Sequence, residues 1–234
     1  IDSIPDKVLQ KAHLDRKKKL ISYANSQTGK VLDIDTLTIG FARRSATYKR
    51  AQLLFYDLER LRQLGQKKIQ IIYSGKAHPN DGEGKELIRE IVQKSHNLFG
   101  SIKVIYLENY DMWLGRLITS GVDVWLNTPL RPNEASGTSG MKSALNGIPN
   151  LSILDGWWDE GCNDKVNGWS IGSSEHVDDD RDVSSLYETL KLDVIPTFYD
   201  DRERWISIMR NSIKTGVDFT SQRMLKDYQK LYYR

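Results

Sequence analysis

The stretch Arg131-Pro132-Asn133-Glu134-Ala135-Ser136-Gly137-Thr138-Ser139-Gly140-Met141-Lys142-Ser143-Ala144-Leu145-Asn146-Gly147-Ile148-Pro149-Asn150 decides how the chain is read. Before it lies the apolar, β-branched run 122–126, short enough for a buried parallel strand. Within it, 141–145 reads as the opening of a helix that Asn146 and Gly147 close. Between strand and helix, Ser136, Gly137, Thr138, Ser139 and Gly140 leave the backbone amides with nothing bulky to shield them. Amides at a helix N-terminus, with the positive end of the dipole behind them, form an anion site. Phosphate is the expected anion.

Lys142 is placed by this reading in the first helical turn, where the dipole disfavours a cation unless an anion compensates. A lysine so poised can serve as the free amine that forms a Schiff base with an aldehyde. The plainer alternative is a tight turn with Lys142 simply solvated. A nucleotide P-loop is excluded by spacing, because Met141 separates Gly140 from Lys142. No G-x-G-x-x-G dinucleotide fingerprint is present either.

At these residues the chain resembles a known family. Glu134-Ala135-Ser136-Gly137-Thr138 followed by Met141-Lys142 is similar to the pyridoxal-phosphate lysine motif of the α-glucan (glycogen, starch, maltodextrin) phosphorylases. Leu154-Asp155-Gly156-Trp157-Trp158-Asp159-Glu160-Gly161, with Asn167-Gly168-Trp169, resembles the shorter bacterial and archaeal branch. The motifs follow one another in order from the N-terminal helix to about Gly172.

Composition sets the outer bounds. The 234 residues suit one large domain or two small ones. A net charge of +3, from 34 basic and 31 acidic residues, gives no nucleic-acid signature. No apolar run reaches the length of a membrane span, and no signal-peptide pattern opens the chain, so a cytoplasmic protein is expected. The single Cys162 rules out an intramolecular disulfide, fits a reducing compartment and reads as an inert thiol. No His, Cys and carboxylate cluster has metal-ligand spacing.

Taken in order, a helix begins at Pro5 and Asp6 and ends at Gly29, with Lys17-Lys18-Lys19 as a solvated face. Strand 37–41 delivers the chain into Arg43-Arg44-Ser45-Ala46-Thr47-Tyr48-Lys49-Arg50, four cations in eight residues, and a helix over 51–64 follows. Cations at the carboxyl end of a parallel strand lie where α/β folds bind ligands, although a basic surface turn would look the same. Strand 69–73 exits through Gly75-Lys76-Ala77-His78-Pro79, where the turn cluster after it favours a structural loop over an acid/base role for His78. Helix 85–99 and strand 102–106 complete another unit, then Asn109-Tyr110-Asp111-Met112. Strand 151–154 follows the central loop. Trp157, Trp158 and Trp169 are equally suited to stacking on sugars and to filling a core. The acidic run 178–182 reads as a solvated helix start, and 184–234 as three helices, the last striped by Met224, Leu225, Tyr228, Leu231 and Tyr232.

The alternation of strand and helix means an α/β fold, a doubly wound parallel Rossmann-like sheet with a helical C-terminal tail. The resemblance implies the C-terminal half of a B-type glycosyltransferase fold, with residues 1–234 forming the cofactor- and phosphate-binding domain of a two-domain enzyme whose N-terminal domain is absent from this chain. It further implies phosphorolysis of α-1,4-glucan by orthophosphate to α-glucose 1-phosphate, with pyridoxal phosphate tied to Lys142. By the same comparison Arg44 and Lys49 hold the substrate phosphate, and Arg43 stands where a lysine usually faces the cofactor. Tyr110 packs on the cofactor, the amides of Gly137, Thr138 and Ser139 cradle its phosphate, and Glu134, Ser136 and Gly137 meet glucose. Two departures stand out: Ala46 where family members often carry His, and Asp111 where animal members carry Arg. The isolated chain is expected to be inactive, and a homo-oligomer is compatible with the comparison. Two other readings remain: a nucleotide-sugar glycosyltransferase domain that shares the fold and basic loop without the cofactor, and a noncatalytic half-protein that binds phosphate or a partner domain.

Overall fold

The computed structural model describes residues 1–173 and 178–233, so the last residue of the expected tail, Arg234, lies outside the described residues. In chain order the elements are α1 (Asp6–Thr28), β1 (Leu37–Ala42), α2 (Leu58–Gly65), β2 (Ile69–Ser74), α3 (Gly82–Asn97), β3 (Lys103–Leu107), α4 (Met112–Gly121) and β4 (Val124–Asn127). They continue with α5 (Thr138–Leu145), β5 (Asn150–Ile153), α6 (Trp157–Gly161), β6 (Gly168–Ile171), α7 (Asp179–Thr189), α8 (Ile195–Asp200), α9 (Arg202–Asp218) and α10 (Ser221–Tyr232).

All strand pairs are parallel, in the order β3-β2-β1-β4-β5-β6. Strands this apolar must be covered on both faces, and alternation divides their side chains between two cores. Ile39, Ile71, Tyr73, Val104 and Leu126 point to one, which α7 and α9 close with Leu186, Tyr187, Trp205 and Met209. Ile72, Ile105 and Trp125 point to the other, under Leu20, Ala24, Leu114 and Ile118 of α1 and α4. The chain reverses its direction of strand addition between β1 and β4, which pair at only two positions, Ile39 with Val124 and Gly40 with Trp125. The carboxyl ends of strands at such a switch point are where doubly wound sheets hold ligands.

Several boundaries move for identifiable reasons. The helix expected over 51–64 forms only from Leu58, because Asp57 caps it by accepting the amide of Arg60 at 2.9 Å; a short 3-10 turn, Leu53–Phe55, precedes it. Helix α4 was not expected, and Asp111 is its cap, accepting the amide of Leu114 at 2.7 Å. Strand β4 starts at Val124 rather than 122, because Val122 still closes α4, its amide donating to the Ile118 carbonyl at 3.2 Å. The tail contains four helices rather than three, α7 running through a π turn at Leu190–Val194 into α8, where Pro196 supplies no amide donor.

Each of two expected solvated faces is solvated except at one residue: Lys18 and Lys19 are exposed but Lys17 is not, and 178–181 are exposed but Asp182 is not. Lys17 is 3% exposed and donates to Asp123 at 2.6 Å and to the Thr36 carbonyl at 2.9 Å. The same Asp123 takes the Thr38 amide at 2.7 Å and lies 2.9 Å from His13 Nε2, so one carboxylate ties α1 to the start of β1 and β4. In the acidic run, Asp182 is buried and Arg50 donates to it at 2.7 Å and to Asp179 at 2.5 Å. Exposed apolar groups concentrate elsewhere: Met112 and Trp113 open α4, and α10 buries none of its residues.

Candidate functional site

The loop after β1 and the loop after β4 are stitched together. The Leu130 amide donates to the Tyr48 carbonyl at 2.6 Å, and the Thr128 hydroxyl to the Lys49 and Arg50 carbonyls at 3.1 and 3.0 Å. Arg50 answers with hydrogen bonds to the Thr128 and Pro129 carbonyls at 3.0 and 2.9 Å. Its backbone is left-handed, φ 44°, and closes the short turn Thr47–Lys49 by donating its amide to the Thr47 carbonyl at 3.0 Å.

Inside this frame Arg43 and Lys49, both buried, donate to one atom, Glu134 Oε2, each at 2.5 Å. Burial works against the Glu134 carboxylate, but Lys49 and Arg43 together outweigh it and hold its pKa below the ordinary carboxylate value. The second guanidinium nitrogen of Arg43, Nη1, is buried with no hydrogen-bond partner. Lys49 also lies over the Tyr48 ring, 4.4 Å from its centroid. Tyr110 is close enough to sense Arg43: burial raises its hydroxyl pKa and the guanidinium charge opposes the rise. The structure therefore brings Arg43, Lys49 and Glu134 together, with Tyr110 within electrostatic reach of Arg43. Arg44 is exposed and forms no hydrogen bond or ion pair with the described residues.

The small-residue loop adjoins that cluster. Gly137 caps α5 in the left-handed region, φ 92°, and a Cβ there would meet Trp157 Cδ1 at 3.2 Å and Glu134 Cγ at 3.6 Å. Helix α5 opens at Thr138, three residues earlier than expected, so Lys142 sits in its second and last turn. There the dipole accommodates a cation rather than opposing it, which corrects the first-turn placement. Thr138 and Lys142, four residues apart, share a face of the helix. Lys142 is exposed, and its ammonium group bonds to none of the described residues. Ser139 Oγ is buried without a partner.

A third segment fixes the backbone that carries Glu134 and Ser136. Asp155, buried, accepts the Glu134 amide at 2.9 Å, and the Trp157 amide donates to the Ser136 carbonyl at 2.9 Å. Between them Gly156, φ 57°, passes so close that a Cβ would stand 2.5 Å from the Ser136 carbonyl oxygen and 2.8 Å from that of Glu134. The tasks of Asp155, Gly156 and Arg50 are not legible from the motifs that contain them. The glycine after a carboxylate, directly before a helix, was the available signal.

Other candidates take structural places. Trp158 and Trp169 are buried in the core, and Trp157, also buried, packs beneath the glycine loop. His78 is an exposed loop residue whose Nδ1 accepts the Asn80 amide at 3.2 Å. Burial, with Asp164 nearby, pushes the Cys162 thiol up to about 12. No helix among the described residues is long and apolar enough to cross a membrane.

Known proteins match the part of the chain that carries these loops. The family model described as carbohydrate phosphorylase covers residues 2–160. This chain belongs to the carbohydrate phosphorylase family. A maltodextrin phosphorylase of Thermococcus litoralis is 46% identical over 100% of this chain and 30% of its own length. A glycogen phosphorylase of Aquifex aeolicus is 42% identical over 100% of this chain and 38% of its own, and one of Mycobacterium tuberculosis 47% over 86% and 25%. The chain thus spans between a quarter and two fifths of these curated relatives. In this carbohydrate phosphorylase chain the family match ends near α6, so the tail from β6 onward lies beyond it.

Proposed function

We propose that this chain is the C-terminal, cofactor- and phosphate-binding domain of an α-glucan phosphorylase, an enzyme that uses orthophosphate to cut α-1,4-glucan into α-glucose 1-phosphate. The observation that carries this reading is the meeting of Arg43 and Lys49 beside the glycine loop of α5, at the switch point of the sheet. Two buried cations at a ligand-binding edge answer a dianion, and a glucan offers none. The reaction's charged partner is therefore phosphate.

The residues present fit pyridoxal phosphate. Ser139 Oγ and Arg43 Nη1 are buried donors without acceptors, and the first amides of α5 have no partners within the helix. Gly137, Thr138 and Ser139 would hold the phosphate ester, Tyr110 would pack on the ring, Arg43 would face it, and Lys142 would take the aldehyde carbon. Bound there, the group would supply a phosphate that passes a proton to and from the substrate phosphate. Lys49 and Arg44 would neutralise orthophosphate, with the Arg43 guanidinium between it and the cofactor, letting two phosphates approach despite their repulsion. Glu134 and Ser136, on the backbone fixed by Asp155 and Trp157, would orient the glucose hydroxyls, with the Gly137 amide beside them. The α10 stripe and Trp113 offer apolar surface to the N-terminal domain that completes the cleft.

The test is direct. The full-length protein, given glucan and orthophosphate, should release glucose 1-phosphate, and the 234-residue chain alone should not. Borohydride reduction after incubation with the cofactor should leave a mass increment on the peptide containing Lys142. Free glucose as the product, or an adduct on another lysine, would refute the assignment.

A further inference from the structure

We propose that Glu134 is an interim counter-anion of the phosphate site: its carboxylate takes the place of an orthophosphate oxygen on Arg43 and Lys49, and orthophosphate binds by exchanging for it. The inference rests on the phosphorylase reading and adds a coupling to it.

The geometry is that of a stand-in. Both cations converge on Oε2 alone, at 2.5 Å each, while Oε1 makes no hydrogen bond to the described residues. One carboxylate oxygen satisfies one arm of the Arg43 fork and leaves Nη1 buried and unpaired. An orthophosphate oxygen can replace Oε2 on Lys49 and on the Nη2 arm, with further oxygens left for Arg44, while Nη1 remains for the cofactor. Charge points the same way. With Glu134 in place the cluster is one positive charge, and an arriving dianion would meet a carboxylate at contact distance. With Glu134 withdrawn, two cations meet two negative charges.

Glu134 is also built to move without disturbing its loop. Its amide is held by Asp155 at 2.9 Å, its carbonyl is pressed by Gly156, and Ser136 is tied to Trp157, so the backbone is pinned from both sides. Only the side-chain torsions remain free to swing the carboxylate. Displaced from the cations, it becomes an acceptor for sugar hydroxyls two residues from Ser136. Phosphate arrival would thereby create the sugar-binding form of the loop. By linkage, sugar bound to Glu134 would raise phosphate affinity by the same factor.

Orthophosphate titration calorimetry on the chain decides the matter. Glu134→Gln removes the competing charge and should bind orthophosphate at least about tenfold more tightly than wild type. Glu134→Asp, which keeps the charge but draws it back by one methylene, should fall between them and decides the question should the glutamine variant fail to fold. Lys49→Met should abolish the binding in each background. Binding that is sensitive to Lys49→Met, yet equal or weaker in the Glu134 variants, overturns the counter-anion role and leaves the phosphorylase reading standing. Absence of saturable orthophosphate binding in every form, or binding indifferent to Lys49→Met, overturns the phosphate site and both proposals with it.

Discussion

At the scale of single residues, charge and exposure separate the cations. Lys49 is buried and paired, whereas Arg44 is exposed and unpaired among the described residues. In the full-length enzyme, Lys49→Ala and Arg44→Ala should each slow turnover by two to three powers of ten, about 3–4 kcal/mol of transition-state stabilisation. Arg44→Ala should leave stability within about 0.5 kcal/mol, so kinetics paired with urea unfolding would tell a phosphate ligand from a surface turn. Rates within a few-fold of wild type at saturating substrates would remove either residue from the mechanism. Glu134 also sets a pH dependence. Because its folded pKa lies below the ordinary 4.5, its ion pairs contribute stability above that value and lose it as pH falls through the folded one. The unfolding free energy, followed downward from pH 5, should therefore drop less steeply in Glu134→Gln than in wild type. Asp182 has the opposite sign: burial, aided by Asp179 and Asp178, raises its pKa against the pull of Arg50, so its protonation stabilises the fold as pH falls through that raised value.

At the scale of elements, two connections can be broken separately. The Lys17–Asp123 pair is 3% and 2% exposed and joins α1 to the sheet. Removing one partner strands a buried charge, so Asp123→Asn should cost about 3–5 kcal/mol in urea unfolding. Lys18→Ala, next door on the exposed side, should change it by less than about 0.5 kcal/mol. Equal effects from the two would mean that Asp123 holds nothing. Gly156→Ala acts on the site instead. Its Cβ would strike two backbone oxygens that no rotamer change can relieve, and it would occupy a φ of 57°. The expected result is a displaced Glu134–Ser136 backbone, read as weaker substrate binding at a turnover that a core mutation of equal stability cost would leave alone.

At the scale of the molecule, the parts that bury nothing are informative. Helix α10 leaves Met224, Leu225, Tyr228, Leu231 and Tyr232 between 47% and 74% exposed. Deleting 220–233 should change the stability of the isolated chain by less than about 1 kcal/mol while lowering its binding of a hydrophobic dye. If the full-length protein has the second domain proposed above, the same deletion should weaken its docking, seen as a lower melting temperature. A large loss in the isolated chain would place α10 in this domain's own core.

The sequence by itself determined the alternation of elements, the parallel sheet and the loops at the carboxyl edge of β1 and β4. Those features follow from short-range causes: apolar runs of strand length, glycines where the backbone must turn, and cations directly after a strand. Lys142, Gly137, Arg43 and Lys49 were visible for that reason. What only the tertiary structure decided are partnerships across long separations. Nothing local marks Lys17 as buried beneath Asp123, Arg50 as the brace of Asp182, or Glu134 as the shared partner of Arg43 and Lys49. Nor does local pattern reveal α4, whose capping Asp111 sits ahead of two exposed apolar residues that hide the helical stripe. The start of α5 was misplaced because Gly137, Thr138, Ser139 and Gly140 have poor helix propensity, and packing of Gly140 against Asn150 and Trp157 overrides it. Charge pairing and close packing are set by what the fold brings near, and a one-dimensional pattern carries no record of distance.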